Sequence, residues 1–303
     1  MLWLYLAIAV ATIWSFSAFI DNYQTDVVFR KRCPQASKVF DGTTYLVAAV
    51  VVFLIFGLVE MPAENIAWII ASGAIAAVST IPYLLALRDE ETTATTLFYQ
   101  LTPIIYLLVD WLVFGETITP LQLIGFIIIL IAPVIVIFSR KQPKSRRMEF
   151  GAALLLLVYV LLIAISGLAS THAGAGYTFT TVFFYFLVGR GVTDLFLFFI
   201  NRKWRERMKY IWRRKRKQYL VPAAINQILT LAAEFMSRYA LIIGIASLVS
   251  VTYNMLELIF TFLLGIILSI IWPKFGREKL KRHIVIAHLV ATILAAIGII
   301  LIS

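Results

Sequence analysis

Ten runs of mostly apolar residues dominate this chain, near 2–20, 43–60, 65–87, 93–114, 120–138, 149–169, 178–200, 220–242, 246–272 and 283–302. A helix needs ~20 such residues to cross a ~30 Å hydrocarbon core, so each run has the length of one span. Transmembrane barrels instead use segments of about ten alternating residues, and that pattern is absent. The 303 residues are 61% hydrophobic and only 14% charged, whereas soluble domains carry about a quarter charged residues. The expectation is an all-α polytopic membrane protein with ten transmembrane helices. The first span lacks a basic leader and is followed by Asp21 and Asn22 rather than a small-residue cleavage site, so it is expected to stay in the mature chain.

Charge placement orients those spans. Arg30, Lys31, Arg32 and Lys38 follow the first; Arg88 follows the third; Arg140, Lys141, Lys144, Arg146 and Arg147 follow the fifth. Ten bases lie between Arg202 and Lys217 after the seventh, and Lys274, Arg277, Lys279, Lys281 and Arg282 follow the ninth. Together they make 25 of the 27 Lys and Arg, and the remaining two, Arg190 and Arg238, lie inside spans. Cytoplasmic loops collect Lys and Arg, so the odd-numbered connections are read as cytoplasmic and both termini as outside the cell membrane. The net charge of +11 then needs no nucleic acid. The basic run between Arg202 and Lys217 sits between two spans, where it anchors topology and touches anionic lipid headgroups.

A shift of 154 positions lays Ala86-Leu87 on Ala240-Leu241, Thr96 on Ser250, Tyr99-Gln100 on Tyr253-Asn254 and Ile105 on Ile259. Two copies of five helices would have opposite orientations, because five is odd, and the basic loads of equivalent loops are indeed opposite. The organisation expected is a first repeat over 1–138, a cytoplasmic linker over 139–148 and a second, inverted repeat over 149–303, as in many carriers.

The residues Ile13-Trp14-Ser15, Tyr83-Leu84-Leu85-Ala86-Leu87, Pro103 and Gly115-Glu116-Thr117-Ile118-Thr119-Pro120-Leu121-Gln122-Leu123-Ile124-Gly125 resemble the ten-helix EamA-type branch of the drug/metabolite transporter superfamily. In the second half Arg238-Tyr239-Ala240-Leu241 survives, Glu257 stands where Pro103 stands in the first copy, and Gly276-Arg277-Glu278 is an imperfect echo. The resemblance implies an inverted-repeat carrier. Members usually keep both termini in the cytoplasm, and the basic residues argue for the opposite orientation here.

Several polar residues inside the spans ask for a reason. Gly115, Glu116 and Thr119 make a tight turn and helix start: Thr119 suits an N-cap, Pro120 the first helical position, and Gln122 completes a capping box. Asp110 lies in the outer third of its span, where a charge reaches solvent. Pro103 sits near mid-span and predicts a kink. Tyr99 and Gln100 lie a turn away, and Tyr253 and Asn254 repeat them in the ninth span. Two readings stand together: a frame for substrate, or hydrogen bonding between helices. Arg190 with Asp194, and Glu234 with Arg238, are spaced to pair on one helix face, either as self-neutralised units or as substrate anchors. Glu257 has no cation at three or four residues' distance and lies about 16 Å into its span, so it is the candidate for binding an amine or exchanging a proton for it. His288 reads as a packed neutral imidazole.

Cys33 is the lone cysteine, and with three histidines it offers no metal-ligand spacing; no cofactor is expected. There is no phosphate-binding Gly-x-x-x-x-Gly-Lys-Ser/Thr stretch. The function read from the sequence is a secondary carrier moving a small organic metabolite, cationic or zwitterionic such as an amino acid or amine, by alternating access. The partners are that substrate, protons and membrane lipids, with no nucleic acid. The alternative, a membrane enzyme acting on a lipid, lacks His-Glu-x-x-His and Gly-x-Ser-x-Gly signatures.

Overall fold

Without water to satisfy them, backbone N–H and C=O groups must bond within their own segment, and apolar runs therefore wind into helices. The computed structural model describes residues 2–89, 99–112, 115, 118–139, 150–271 and 282–302. Its helices are α1 (Leu2–Tyr23), α2 (Lys38–Phe56), α3 (Ala63–Asp89), α4 (Thr102–Leu112), α5 (Pro120–Ser139), α6 (Phe150–Ala173), α7 (Phe179–Ile200), α8 (Arg202–Arg214), α9 (Arg216–Ile243), α10 (Ala246–Ile271) and α11 (Arg282–Ile302). A π-helical segment, Gln24–Val28, continues α1, and 3₁₀ turns cover Pro34–Ser37 and Tyr99–Leu101. No strand occurs among the described residues.

Among the described residues, seven stretches are long and apolar enough to cross a membrane: Leu2–Val28, Pro34–Phe56, Ala63–Leu87, Gly151–Ala173, Phe179–Ile200, Arg216–Ile243 and Ala246–Leu268. Large apolar side chains stand outward on them, Leu54 at 74% and Ile228 at 69% exposure, a surface that water penalises and lipid does not. This is the make-up of a multi-pass helical membrane protein.

The chain divides into two compact units. One comprises Ile20–Asp89 with Gly151–Arg238; the other comprises Met1–Phe19, Glu90–Phe150 and Tyr239–Ser303. Each therefore draws on both halves of the sequence.

In the first unit α7 packs against both α2 and α3. Small residues allow the backbones to meet: a Cβ on Gly189 would lie 2.1 Å from the Ile70 carbonyl oxygen, and one on Gly73 2.2 Å from that of Phe186. Without a hydrophobic drive between helices in lipid, such close contact is a main source of adhesion. Tyr45, Ile69, Ala76, Phe183 and Phe186 fill the crossing.

The basic run after the seventh predicted span is more than a loop. Asn201 caps it by accepting from Trp204 N at 3.3 Å, and α8 turns Met208 and Ile211 onto Val28, Phe29 and Ala36. Arg207 donates to the Phe29 carbonyl, and Lys215 Nζ to that of Val28 at 3.0 Å. Both cations thus satisfy carbonyls at the end of the π-helical segment, where the next turn is missing. Desolvation, with Arg30 and Arg207 nearby, holds the Lys215 ammonium below its ordinary pKa. The chain that follows carries positive φ at Arg30, Lys31 and Cys33, a backbone state that L residues hold only when their surroundings impose it.

In the second unit α10 packs against the Tyr99–Leu101 turn, α4, α5 and α11, and α5 packs against α11. Phe126, Ile129, Leu248, Val251, Met255, Leu258 and Ala291 make its core. The expected helix start at α5 is present in full: Gln122 N donates to Thr119 Oγ1 at 3.2 Å, and Thr119 N to Gln122 Oε1 at 3.1 Å. Gly115 has φ +66°, a left-handed conformation that favours glycine; Glu116 lies outside the described residues. Pro103 occupies the first turn of α4, just after the 3₁₀ turn. At that position a missing N–H costs no helical bond, and the part of the span before Tyr99, on which the expected kink depends, lies outside the described residues.

Candidate functional site

Charged side chains of the first unit converge on one interior. On α2, Ser37 at its N-cap, Asp41 and Tyr45 are four apart and form one stripe; Asn226, Thr230 and Glu234 do the same on α9. Arg190 and Asp194 project from α7, Thr80 and Tyr83 from α3, Asp21 from the last turn of α1 and Gln24 from the π-helical segment. These residues, Glu234 excepted, help to line a cavity of ≈ 80 Å³, several times the ~10–15 Å³ one water needs on that measure.

Lys38 is completely buried. Its ammonium donates to Ala77 O at 2.6 Å, to Thr80 Oγ1 at 2.7 Å and to Asp194, which uses all three of its protons. Arg190 donates to Glu234 through Nη1 and lies 4.4 Å over the Tyr45 ring. Glu234 also accepts from Arg238 Nε at 3.2 Å, and Arg238 donates to Ser170 Oγ at 2.6 Å.

The expected Glu234–Arg238 pair is therefore present, and the expected Arg190–Asp194 pair is not. Helical spacing brings two side chains to one face, but here a neighbouring helix offers each a nearer partner: Lys38 of α2 for Asp194, Glu234 of α9 for Arg190. Lys38 itself corrects the charge count. Hydropathy assigns it to a loop because the second apolar run begins near 43, whereas α2 begins at Lys38.

Asp21 and Asp41 differ from these acids in taking only neutral donors. Asp21 accepts from Asn226 Nδ2 at 2.7 Å and from the Tyr83 hydroxyl at 3.1 Å. Asp41 accepts from Ser37 Oγ at 3.2 Å and from Gln227. Neither has an ion-pair partner among the described residues. Among the described residues the interior thus holds four acids, Asp21, Asp41, Asp194 and Glu234, and three cations, Lys38, Arg190 and Arg238. Sequence reasoning missed Asp21, Lys38, Asp41, Asn226 and Gln227 as site residues. The i, i+4, i+8 stripe of Ser37, Asp41 and Tyr45 is the signal that could have found part of the set.

The second unit holds the other expected group. Tyr253, Asn254 and Glu257 are all buried on α10, with Trp14 edge-on to Tyr253 at 5.2 Å and Ser15 Oγ donating to the Glu257 backbone carbonyl at 3.1 Å. Asn254 Nδ2 donates to Ser250 Oγ at 3.1 Å. Ser250, Asn254, Glu257 and Thr261 follow one helix face, all buried. The Glu257 carboxyl has no hydrogen-bond or ion-pair partner among the described residues, and Thr261 Oγ1, one turn on, is buried without one. Tyr99 is half-buried in the turn that packs against α10. The side chains of Gln100, Asp110 and His288, and all of Thr96, lie outside the described residues. No group of three or more His, Cys, Asp or Glu placed to hold a metal occurs among the described residues.

No family model matches this sequence, and no curated protein matches it. A solved structure described as "Crystal structure of protein" is similar over 96% of each chain, with a TM-score of 0.62 and 15% identity. At that identity the likeness concerns the fold alone.

Proposed function

We propose that this protein is a secondary-active carrier that moves a small cationic or zwitterionic organic metabolite, such as an amino acid or amine, across the cell membrane by alternating access. One observation carries the reading: a polar cavity, lined by two carboxylates without a cationic partner among the described residues, lies among helices whose outer surfaces suit lipid. Charges at membrane depth are costly and belong to structural pairs or to pathways; Lys38, Asp194, Arg190, Glu234 and Arg238 answer to the first description, Asp21 and Asp41 to the second. The carrier belongs, on its motif resemblance, with the EamA-type drug/metabolite transporters, built as two inverted five-helix repeats with ten spans. Glu257, in this reading, binds the substrate's amine or exchanges a proton for it. No enzymatic step and no cofactor enter the reading.

Accumulation of a radiolabelled amine or amino acid from a panel into proteoliposomes holding the purified protein tests it. Uptake above protein-free vesicles is expected. A change in the lipid with no uptake of any solute would overturn the carrier in favour of the lipid enzyme. The proposed orientation, with basic loops cytoplasmic and both termini outside, has its own probe in the half-buried Cys33. A membrane-impermeant maleimide should react only after cells are permeabilised, and strong labelling of intact cells would reverse the orientation.

A further inference from the structure

The cavity of the first unit contains buried polar atoms that no described residue satisfies. Gln227 is 7% exposed and Arg190 6%; both line the cavity, and neither the Gln227 Oε1 acceptor nor the Arg190 Nε–H donor has a hydrogen-bond partner among the described residues. Leaving such atoms dry is costly, and each one asks for an explanation. The amide orientation is set by its neighbour, because a carboxylate only accepts: Asp41 takes the Gln227 NH₂, and Oε1 is left as a second acceptor beside Asp41. Asp21, on the same cavity, likewise spends only two of its roughly four acceptor sites, on Asn226 and Tyr83.

We propose that this cavity binds a primary ammonium group, with Asp21, Asp41 and Gln227 Oε1 accepting its three N–H protons. The count matches: an –NH₃⁺ group has three donors and no acceptor, and the protein offers three acceptor groups with no cation paired to either acid among the described residues. Lys38 shows the same solution built into the chain, an ammonium with three oxygen acceptors, one of them a carboxylate. Arg190 Nε–H supplies the complementary donor, so a ligand with a carboxylate or carbonyl near its ammonium satisfies both orphaned atoms. A quaternary ammonium carries the same charge but no N–H, and it leaves Gln227 Oε1 unsatisfied.

The inference rests on the carrier reading only for the ligand's being cargo. Its test uses the purified full chain in detergent, melted in the presence of three matched pairs: ethanolamine and choline, glycine and glycine betaine, butylamine and butyltrimethylammonium. At least one primary amine should raise the melting temperature with a half-saturating concentration tenfold or more below that of its trimethyl partner. Asp21→Asn and Asp41→Asn should weaken that protection at least tenfold, each variant's own melting curve establishing that it folds. Should either fail to fold, the other acid together with Gln227→Met carries the comparison. Protection by none of the three primary amines, equal protection by both members of every pair, or undiminished protection in the folded variants would overturn the site. Selective protection without solute uptake into vesicles would leave the site standing and sink the carrier, whereas uptake with no selectivity would do the reverse.

Discussion

The interior of the first unit and the polar face of α10 in the second both bury acids in a chain made for lipid, but they do so on opposite terms. Around Lys38, Arg190 and Arg238 almost every charge is held by a partner on another helix, and the partners converge on a cavity. On α10 a single carboxyl, Glu257, lies buried with Thr261 a turn away and no partner among the described residues for either. A charge in a network has its desolvation offset by neighbours, so removing one member strands another. A solitary acid has no neighbour to strand. The network is therefore expected to be structural except at Asp21, Asp41, Gln227 and the Arg190 Nε–H that face the cavity, and Glu257 is expected to be dispensable to the fold.

The sharpest way to break this contrast is a double-mutant cycle on Lys38 and Asp194. Lys38→Met leaves the Asp194 carboxylate, 2% exposed, without its cation and should cost about 3–5 kcal/mol, whereas Lys38→Met with Asp194→Leu should recover most of that, because buried pairs can be exchanged for apolar ones at little cost. Thermal unfolding in detergent reads both. Equal losses in the single and double variants would mean that the pair is not a unit.

A smaller effect is expected where backbones rather than charges meet. Gly189→Ala drives a Cβ against the Ile70 carbonyl, a backbone atom that cannot swing aside, and should cost about 1–3 kcal/mol. Gly151→Ala, with nothing within 4 Å of its Cβ, should be neutral or raise stability by up to about 1 kcal/mol. A tolerated Gly189→Ala would show that the α3–α7 crossing is looser than described.

The smallest change in stability belongs to Glu257→Gln, which keeps shape and hydrogen-bonding capacity and should stay within about 0.5 kcal/mol of the parent, in keeping with a site that loses no packing and no partner. Its effect should appear instead in transport, as lost uptake or a flattened pH profile. A loss of stability as large as that of Lys38→Met would erase the distinction between the two regions, and wild-type transport with an unchanged pH profile would remove Glu257 from the mechanism.

Legibility from sequence follows the range of the interactions concerned. Helices such as Phe179–Ile200 and Ala246–Ile271 fall within a residue or so of the apolar runs that predict them, and the Thr119–Gln122 capping box is a local exchange between residues three apart. The Glu234–Arg238 pair is local as well. Asp194 and Arg190 misled because their spacing permits a local pair and nothing in it reveals that α2 and α9 bring better partners. Lys38 and Asp41 misled for another reason: hydropathy ends a span where charges begin, and a charge buried against another helix reads the same as one in water. The basic stretch at Arg202–Arg214 conceals a helix because Met208 and Ile211 give only a narrow apolar stripe among its bases.

The sequence by itself determined that this chain is helical and made for lipid, where its apolar runs lie, and that Glu257 has no helical neighbour to neutralise it, since all of these depend on composition and on residues within a turn or two. Tertiary structure decided which charges are partners and which are left over. Asp21, Asp41, Arg190 and Gln227 come from four helices, and pairing in a low-dielectric interior is set by distances of a few ångströms across the packing of α1, α2, α7 and α9, which no spacing along the chain records.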